Sequence, residues 1–582
     1  MNNRLSRLLA LVTLVALLLT TTPLAITAHG EGVGVATDIM TGVPTSDEGY
    51  AKELDLTQRE LDSLRTRLLD AIKSYKSEVD ISSFAVPVSA LKHLTNLLFK
   101  SDPETFHINE YRYHYNNDII TKLTFDEFYL YDQQTYWEML ASCMATVEWM
   151  TYDLVDCNLN DVQKALILHD RLAAWVDYDK ENYDRDTVPH LQHSMYGALV
   201  DGIAVCDGYS KAYMYLLDEV GIESYLCISL DLDHAWNIVK IYGNWYHVDV
   251  TWDDPTWDVT GRVNHKNFLL SSEAIYATGH KANDYDTSPT DKRYEDWFWK
   301  DSNTAFQYLH NTIYYINNKT AQLCKWEIGE NKLYDLLSVA DEWPSAPGYH
   351  WTANYARLSG DWDYLYYSLH NAVYKYDPLT GHSEVLHYPD LSGGSLFSVY
   401  GMRVEFNYLY CDLYNTEVFD KNTKPQHQWV GWYRQNGAAY LILEEAPDKT
   451  VYGLGKALNP KGLEVRVRYT DGTTEYLDGG YTVDGFDSSR LGTQWVSVNY
   501  GGRTASFKVQ IVTACGDVDD DGAITSTDAR LALQLYAGKV DPARVDAAMA
   551  DVDGDGAITS TDARLVLQYY AGKIESYPAR VG

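Results

Sequence analysis

The sequence predicts a multidomain protein in which an α+β domain is followed by a tyrosine-rich all-β module, a small β-sandwich and a C-terminal pair of helical repeats. Three observations carry this. At about 100 to 200 residues per domain, a chain of 582 residues holds three to five of them. The hydrophobic period changes from helical to two near Glu223, and residues 522–539 recur as residues 556–573 with two substitutions.

Composition narrows the function. Apolar residues make up 46% and charged residues 22%, which excludes disordered and collagen-like classes. Lys plus Arg is 47 against 82 for Asp plus Glu, a net charge of −35 that phosphate backbones and anionic lipid repel, so neither nucleic acid nor a membrane surface is an expected partner. Seven cysteines are too few for a disulfide scaffold, and an odd number leaves one over.

Arg4 and Arg7 precede an apolar run from Leu8 to Leu19 broken only by Thr13, with small residues at Ala25 and Ala28. This order reads as a signal peptide over residues 1–28, and the run is too short to span a bilayer of about 30 Å. The expected mature protein is secreted and extracellular, with no membrane span. Residues 29–54, rich in Gly, Thr and Asp, read as a linker.

Leu61, Leu64, Leu68, Leu69 and Ile72 recur at helical spacing, as do Leu166, Ile167, Leu172 and Trp175. Residues 223–230, 234–242 and 245–251 alternate as strands, the last two joined as a hairpin through Gly243-Asn244. Helices followed by antiparallel strands give an α+β domain over residues 55–290. Residues 301–440 hold 18 tyrosines, with aromatic strands and Asn turns near Asn311, Asn371 and Asn415, and read as an irregular all-β repeat module. Their tyrosines fill pleated sheet surfaces or stack on sugar rings or peptides. Residues 443–513 alternate through Leu463–Tyr469, turn at Asp471-Gly472 and again at Gly501-Gly502, and form a β-sandwich.

Cys206 has the strongest chemical context of the seven. Tyr209, Tyr213, Leu216, Leu217 and Val220 follow it at helical spacing up to a stop at Gly221, so the thiol opens a helix. There the dipole and the first N–H groups favour a thiolate and can hold an oxyanion. Cys143, Cys157 and Cys227 read as core, and a disulfide between Cys324 and Cys411 is allowed in the β-rich region. A thiol nucleophile needs a base and an orienting group, and His234 and Asp249 lie on consecutive strands. A tight Gly243-Asn244 turn sets Asp249 opposite Ile238, roughly 13 Å from His234 at about 3.3 Å per residue. A four-residue loop over 241–244 sets it opposite Trp236, within diagonal reach, and is the expected register. His247 then faces the other way as a structural residue, and Trp252 walls the site.

The segments GIAVCDGYSKAY, DHAWNIVKI and WYHVDVTWDDP, in this order, resemble the catalytic segments of the transglutaminase-like superfamily. The resemblance implies a papain-like α+β fold over a core of residues 160–260 and a triad of Cys206, His234 and Asp249 acting on a protein or peptide substrate. The chemistry implied is acyl transfer through a thioester, ending in hydrolysis, deamidation or cross-linking, with no cofactor for catalysis. Gln192 and Tyr196 are the candidates for an upstream oxyanion side chain. The YTDGT turn and VNYGG hairpin of residues 443–513 resemble bacterial Ig-like modules, which implies a spacer or binding role.

Each C-terminal repeat opens with a D-x-D-x-D-G-x-I-x-S-x-D loop, the oxygen-ligand spacing of an EF-hand-like calcium site. The ligands would be Asp517, Asp519, Asp521 and Asp528 with the Ala523 carbonyl, then Asp551, Asp553, Asp555 and Asp562 with that of Ala557. Thr525 and Thr559 would act through water. A last ligand of Asp, with no entering helix, resembles type I dockerins over residues 516–575. That resemblance implies two Ca2+ ions, a cohesin domain of a scaffoldin as partner, contacts through Ser526, Thr527, Ser560 and Thr561, and attachment to a cellulosome. The leading reading is therefore a tethered cysteine acyl-transfer enzyme. A non-catalytic binding component and a carbohydrate-active hydrolase stand as alternatives.

Overall fold

The computed structural model describes residues 31–37, 46–155, 157–254, 259–281, 289–327, 331–346, 348–361, 363–391, 397–405, 408–415, 426–432, 437–469, 473–512, 516–519, 523–542, 545, 547–553, 557–574 and 577. The signal-peptide expectation for residues 1–28 and the Asp471-Gly472 turn lie outside the described residues. The chain forms two compact units, one holding the thiol domain with most of the tyrosine-rich module and the other holding residues 429 onward.

The first unit opens where a linker was expected. Strand β1 (Glu31–Thr37) and helix α1 (Asp47–Glu53) precede α2 (Gln58–Lys73), β2 (Glu78–Asp80), α3 (Leu91–Phe99), β3 (Glu110–Asn116) and β4 (Ile119–Thr124). The sheet runs β1-β3-β4-β2, all antiparallel. Gly32 and Gly34 of β1 lie under the rings of Tyr115 and Tyr113 on β3, so glycine here makes room for aromatics rather than for flexibility. Helix α2 opens on a Thr57–Glu60 capping box and buries Leu61, Leu64, Leu68 and Ile72 of the predicted stripe in a core of its own, while Leu69, the fifth member, is half-buried.

The thiol domain follows: α4 (Gln133–Thr151), α5 (Asp161–Ala173), β5 (Asp177–Tyr178), α6 (Lys180–Arg185), β6 (Ile203–Ala204), α7 (Cys206–Glu219), β7 (Ser224–Ser229), β8 (His234–Ile241), β9 (Asn244–Val248), α8 (Val250–Asp253) and α9 (Ser272–Ala277). The apolar face of α7, with Tyr209, Tyr213, Leu216 and Leu217, packs in one core with Leu166 and Ile167 of α5 and with Val239, Ile241, Tyr246 and Val248 of the antiparallel sheet β7-β8-β9. Strand β8 is central and nearly continuously buried, which explains its apolar run on both faces.

The hairpin corrects one expectation and keeps another. Ile241 pairs with Asn244, so the turn is the two residues Tyr242-Gly243, both at positive φ (49° and 82°); it is neither the expected four-residue loop over 241–244 nor Gly243-Asn244. A two-residue turn with left-handed central positions matches the strand twist. Its register pairs Asn237 with Val248, and continued by one residue it carries Asp249 to the position opposite Trp236.

Across the expected boundary near residue 290 the core is continuous: Tyr294, Trp299 and Phe306, and Ile313, Tyr315, Cys324 and Trp326 of the tyrosine-rich module, share one core with the thiol domain. The tyrosine-rich module is built of antiparallel meanders, among them Gln307–Leu309, Thr312–Asn317, Gln322–Glu327 and Lys332–Ser338, then Leu365–Leu369, Ala372–Tyr376 and Ser383–His387. His310-Asn311 forms one turn with both residues left-handed. Cys324 and Cys411 are free buried thiols, so the allowed disulfide is absent; they sit on different sheets, each within an apolar cluster or strand interior.

In the second unit the sandwich begins at Ala438, five residues before the expected edge. One sheet comprises Ala438–Glu445, Glu464–Tyr469 and Thr474–Tyr476, the other Val451–Gly453, Thr482–Asp484, Gly492–Tyr500 and Arg503–Val512. Gly501 and Gly502, at φ 57° and 77°, make the predicted tight turn. Helices α10 (Ser526–Tyr536) and α11 (Ser560–Tyr570) follow, each opened by a capping box, Thr525 with Asp528 and Thr559 with Asp562. Among the described residues no helix is long and apolar enough to cross a membrane.

Candidate active site

Cys206 is the first residue of α7, and the residue before it, Val205, is extended and offers no side-chain cap. The first-turn N–H groups therefore have no side-chain acceptor from the N-cap position, which is where a developing oxyanion beside the thiol would be stabilised. Two features fix this end of the helix. Asn237 Nδ2 on β8 donates to the Ser210 carbonyl at 3.0 Å, and the Ser210 hydroxyl donates to the Cys206 carbonyl at 2.7 Å. Gly208 lies flush against the 190–194 turn: a Cβ there would collide with the Gln192 carbonyl oxygen and stand 2.9 Å from Ala204 Cβ.

His234 opens β8, and its Nε2 lies 2.7 Å from Asp249 Oδ2. Asp249 caps α8: its Oδ1 accepts the Trp252 N–H at 3.0 Å, and its own N–H donates to the Asn267 carbonyl at 3.0 Å. The Trp252 ring stacks on His234, with centroids 5.1 Å apart at 24°, and is 40% exposed, so one face of the imidazole is walled by an indole that itself borders solvent.

The electrostatics follow from burial against pairing. Burial opposes a charged imidazole, but Asp249 and then a hydrogen bond with Cys206 outweigh it, and His234 is pushed up to about 10. Burial likewise opposes an ionised Asp249, yet His234 and a second imidazole, His280, hold it well below the usual carboxylate range. The proton thus resides on His234 at neutral pH, opposite a fixed carboxylate. Cys227, fully buried next to Asp249, and Cys143 are pushed the other way, Cys143 to about 12, chiefly by burial. His247 is held neutral, down to about 3 by burial and His280; its Nδ1 accepts the Trp236 indole N–H at 3.0 Å, and its Nε2 faces the Ser272 hydroxyl at 3.1 Å. Gln192 contributes its backbone, accepting the Val205 N–H at 3.0 Å, and Tyr196 packs its ring 5.9 Å from Phe106.

In the C-terminal repeats, ligand oxygens of Asp517, Asp519 and Asp528 lie within 4.8 Å of one another, and so do those of Asp551, Asp553 and Asp562. Converging carboxylates at this spacing suit a hard divalent cation. Asp521 and Asp555 lie outside the described residues. Asp528 Oδ1 accepts the Val518 N–H at 2.8 Å and Oδ2 the Thr525 N–H at 2.8 Å, and Asp562 Oδ2 accepts the Thr559 N–H at 2.8 Å. Thr525 and Thr559 are the N-caps of α10 and α11, and their hydroxyls donate to Asp528 Oδ2 and Asp562 Oδ2, both at 3.1 Å. Asp517 is ion-paired with the buried ammonium of Lys449, which a cation in the first loop would share or displace. Ser526-Thr527 and Ser560-Thr561 occupy the first turns of α10 and α11.

Residues 151–250 match the transglutaminase-like superfamily, residues 446–511 a bacterial Ig-like domain (group 3) and residues 515–570 a dockerin type I domain. The thiol site lies in a transglutaminase-like domain. Among curated proteins, pectate lyase L of Thermoclostridium stercorarium is 39% identical over 72 residues, 12% of this chain and 6% of that protein's length. Among solved structures, a crystal structure of a TGase is 14% identical, covering 23% of this chain and 41% of that one with a TM-score of 0.18. An oligogalacturonate lyase from Vibrio parahaemolyticus is 10% identical, covering 50% of this chain and 97% of that one with a TM-score of 0.14.

The transglutaminase-like domain brings Cys206, His234 and Asp249 together, and adds a residue that sequence reasoning did not single out. His280 Nε2 lies 2.7 Å from the same Asp249 oxygen that holds His234. Its segment, Thr278-Gly279-His280, follows a short helix and carries no period, so no local pattern marks it; a histidine in a turn signal is all the sequence offers.

Proposed function

We propose that this chain is a cysteine-dependent acyl-transfer enzyme, secreted and held on a cellulosome-type scaffold through its dockerin. The observation that carries the reading is the single imidazole placed between Cys206 and Asp249, with its pKa raised by both. The Cys206 thiolate attacks a carboxamide carbonyl, forming an S–C bond, and the oxyanion rests on first-turn N–H groups of α7. His234 gives its proton to the departing amine as the C–N bond breaks, leaving a thioester. Water or a primary amine then attacks the thioester, His234 takes the incoming proton, and the thiolate is released. Asp249 holds the imidazole in orientation throughout.

The dockerin's acidic loops would take two Ca2+ ions through the carboxylates named above, and binding energy there is folding energy. Ser526, Thr527, Ser560 and Thr561 present matching surfaces for a cohesin. The test is intact-mass spectrometry of the full chain incubated with glutamine-containing peptides, with and without a primary amine. A thioester adduct on Cys206 and a product of altered mass support the reading. No adduct and no product across peptide sets would leave the thiol domain a binding module.

A further inference from the structure

Asp249 Oδ2 is shared. It accepts from His234 Nε2 and from His280 Nε2, both at 2.7 Å, while Oδ1 accepts the Trp252 N–H. Because the carboxylate is ionised, both imidazole nitrogens must donate. His280 is 1% exposed, its ring lies 4.0 Å from that of Trp252 and 5.0 Å from that of Trp236, and its Nδ1 lies 2.8 Å from the Thr278 hydroxyl. That hydroxyl is also 2.7 Å from the Ile275 carbonyl at the end of α9. The second imidazole is thus built in from both ends: one nitrogen on the triad carboxylate, the other on a helix terminus.

A carboxylate held only by His234 and one backbone N–H is free to swing about its terminal torsion, which is broad and roughly two-fold. Each swing would turn the imidazole it holds and carry the other ring nitrogen off the sulfur. We propose that His280 is a positioning residue that fixes Asp249 Oδ2, and through it keeps His234 aimed at Cys206. It acts through Asp249 and touches no reacting atom. The inference rests on the proposed thiol chemistry. The titratable groups around His280 are Asp249, His234 and His247, the last two at 5.7 Å between rings and through charge respectively.

The test uses the full chain and no substrate: the rate of Cys206 alkylation by iodoacetamide, read by peptide mass spectrometry between about pH 5 and 9, with Cys143 as internal reference. In the wild type, Cys206 should react faster than the buried Cys143 across this range. His280→Phe keeps the ring and removes the donor. It should lower the Cys206 rate near pH 6 about tenfold and so change the shape of the pH profile. His280→Gln, whose amide N–H can reach Oδ2, should retain most of the acid-side rate. Thr278→Val, which loosens His280 without altering the site's shape, should lose about threefold. The proposal falls if His280→Phe keeps the wild-type pH profile of alkylation, or if His280→Gln is as impaired as His280→Phe. Should His280→Phe fail to fold, an unchanged profile in Thr278→Val overturns it as well. A wild-type Cys206 that reacts no faster than Cys143 would sink the thiol-nucleophile reading itself, before any variant is made.

Discussion

In the transglutaminase-like domain, Cys206, His234, Asp249 and His280 come from a helix start, two strand ends and a loop beyond α9, and only the core shared by α5, α7 and the β7-β8-β9 sheet brings them together. In the dockerin, each set of converging carboxylates lies within one short loop, Asp517 to Asp528 or Asp551 to Asp562. The first arrangement is assembled by packing. The second concentrates like charge locally, beside backbone N–H donors and the Lys449 ammonium. A site made by a core is broken by a side-chain change, whereas one made by a loop is broken by removing what neutralises it.

That contrast sets the size of each expected effect. Cys206→Ala should abolish turnover, a loss on the order of 10⁴ or more, because the covalent intermediate cannot form. Cys227→Ala, equally buried and next to Asp249, should leave turnover largely intact and cost only packing. Equal turnover in Cys206→Ala and wild type would sink the assignment. Chelation should act on the other unit. Amide signals of residues 516–575 should collapse, a loss of several kcal/mol of folding energy, while those of the thiol domain stay in place.

The pH response should separate the regions further. His234 and the fully buried His169 are pushed up, to about 10 and about 9; burial opposes both, but Asp249 outweighs it for the first, and Asp170 and Asp253 for the second. Such groups stabilise fully below the unfolded histidine value of about 6.5, and that contribution is lost as pH rises through the folded values. Asp249 and Asp170 are held low, so theirs is present above about 3.9 and lost as pH falls. Thermal melts of the thiol domain should therefore peak between about pH 5 and 6.5 and lose on the order of 2 kcal/mol by pH 9. A melt flat across that range would show that these pairs form no differently in the unfolded chain. The smallest effect belongs to the repeats. If cohesin docks in two orientations related by the internal duplication, bulky replacement of Ser526-Thr527 alone should cost about RT ln 2, roughly 0.4 kcal/mol, and replacement with Ser560-Thr561 several. Calorimetry with either single pair showing a large loss would mean one orientation only.

What was legible in the sequence follows the same divide. Cys206 at a helix start and the Gly221 stop are local signals, and the duplicated loops are more local still. The pairing of His234 with Asp249 was legible because strand alternation limits the register to few choices; the loop itself was not, since the expected four-residue loop over 241–244 is a two-residue turn in which Tyr242 accepts a left-handed backbone. His280 was not legible, because nothing within a window around it requires it to meet Asp249. Residues 31–37 read as linker because their glycines look like flexibility, whereas each covers a tyrosine ring on the neighbouring strand.

Gly208 carries one more consequence. Two residues past the thiol, inside a helix, alanine is ordinarily the better residue by about 1 kcal/mol, and exchanges of that kind are among the commonest ways a protein gains thermal tolerance. Here the added methyl would meet the Gln192 carbonyl and lever the first turn of α7 off the 190–194 segment. A shift of even a fraction of an ångström there is delivered to the sulfur, two positions away, while the histidine on the sheet stays where it is. This stretch of chain is thereby shut out of a cheap route to robustness, and heat tolerance in this protein has to be gained elsewhere.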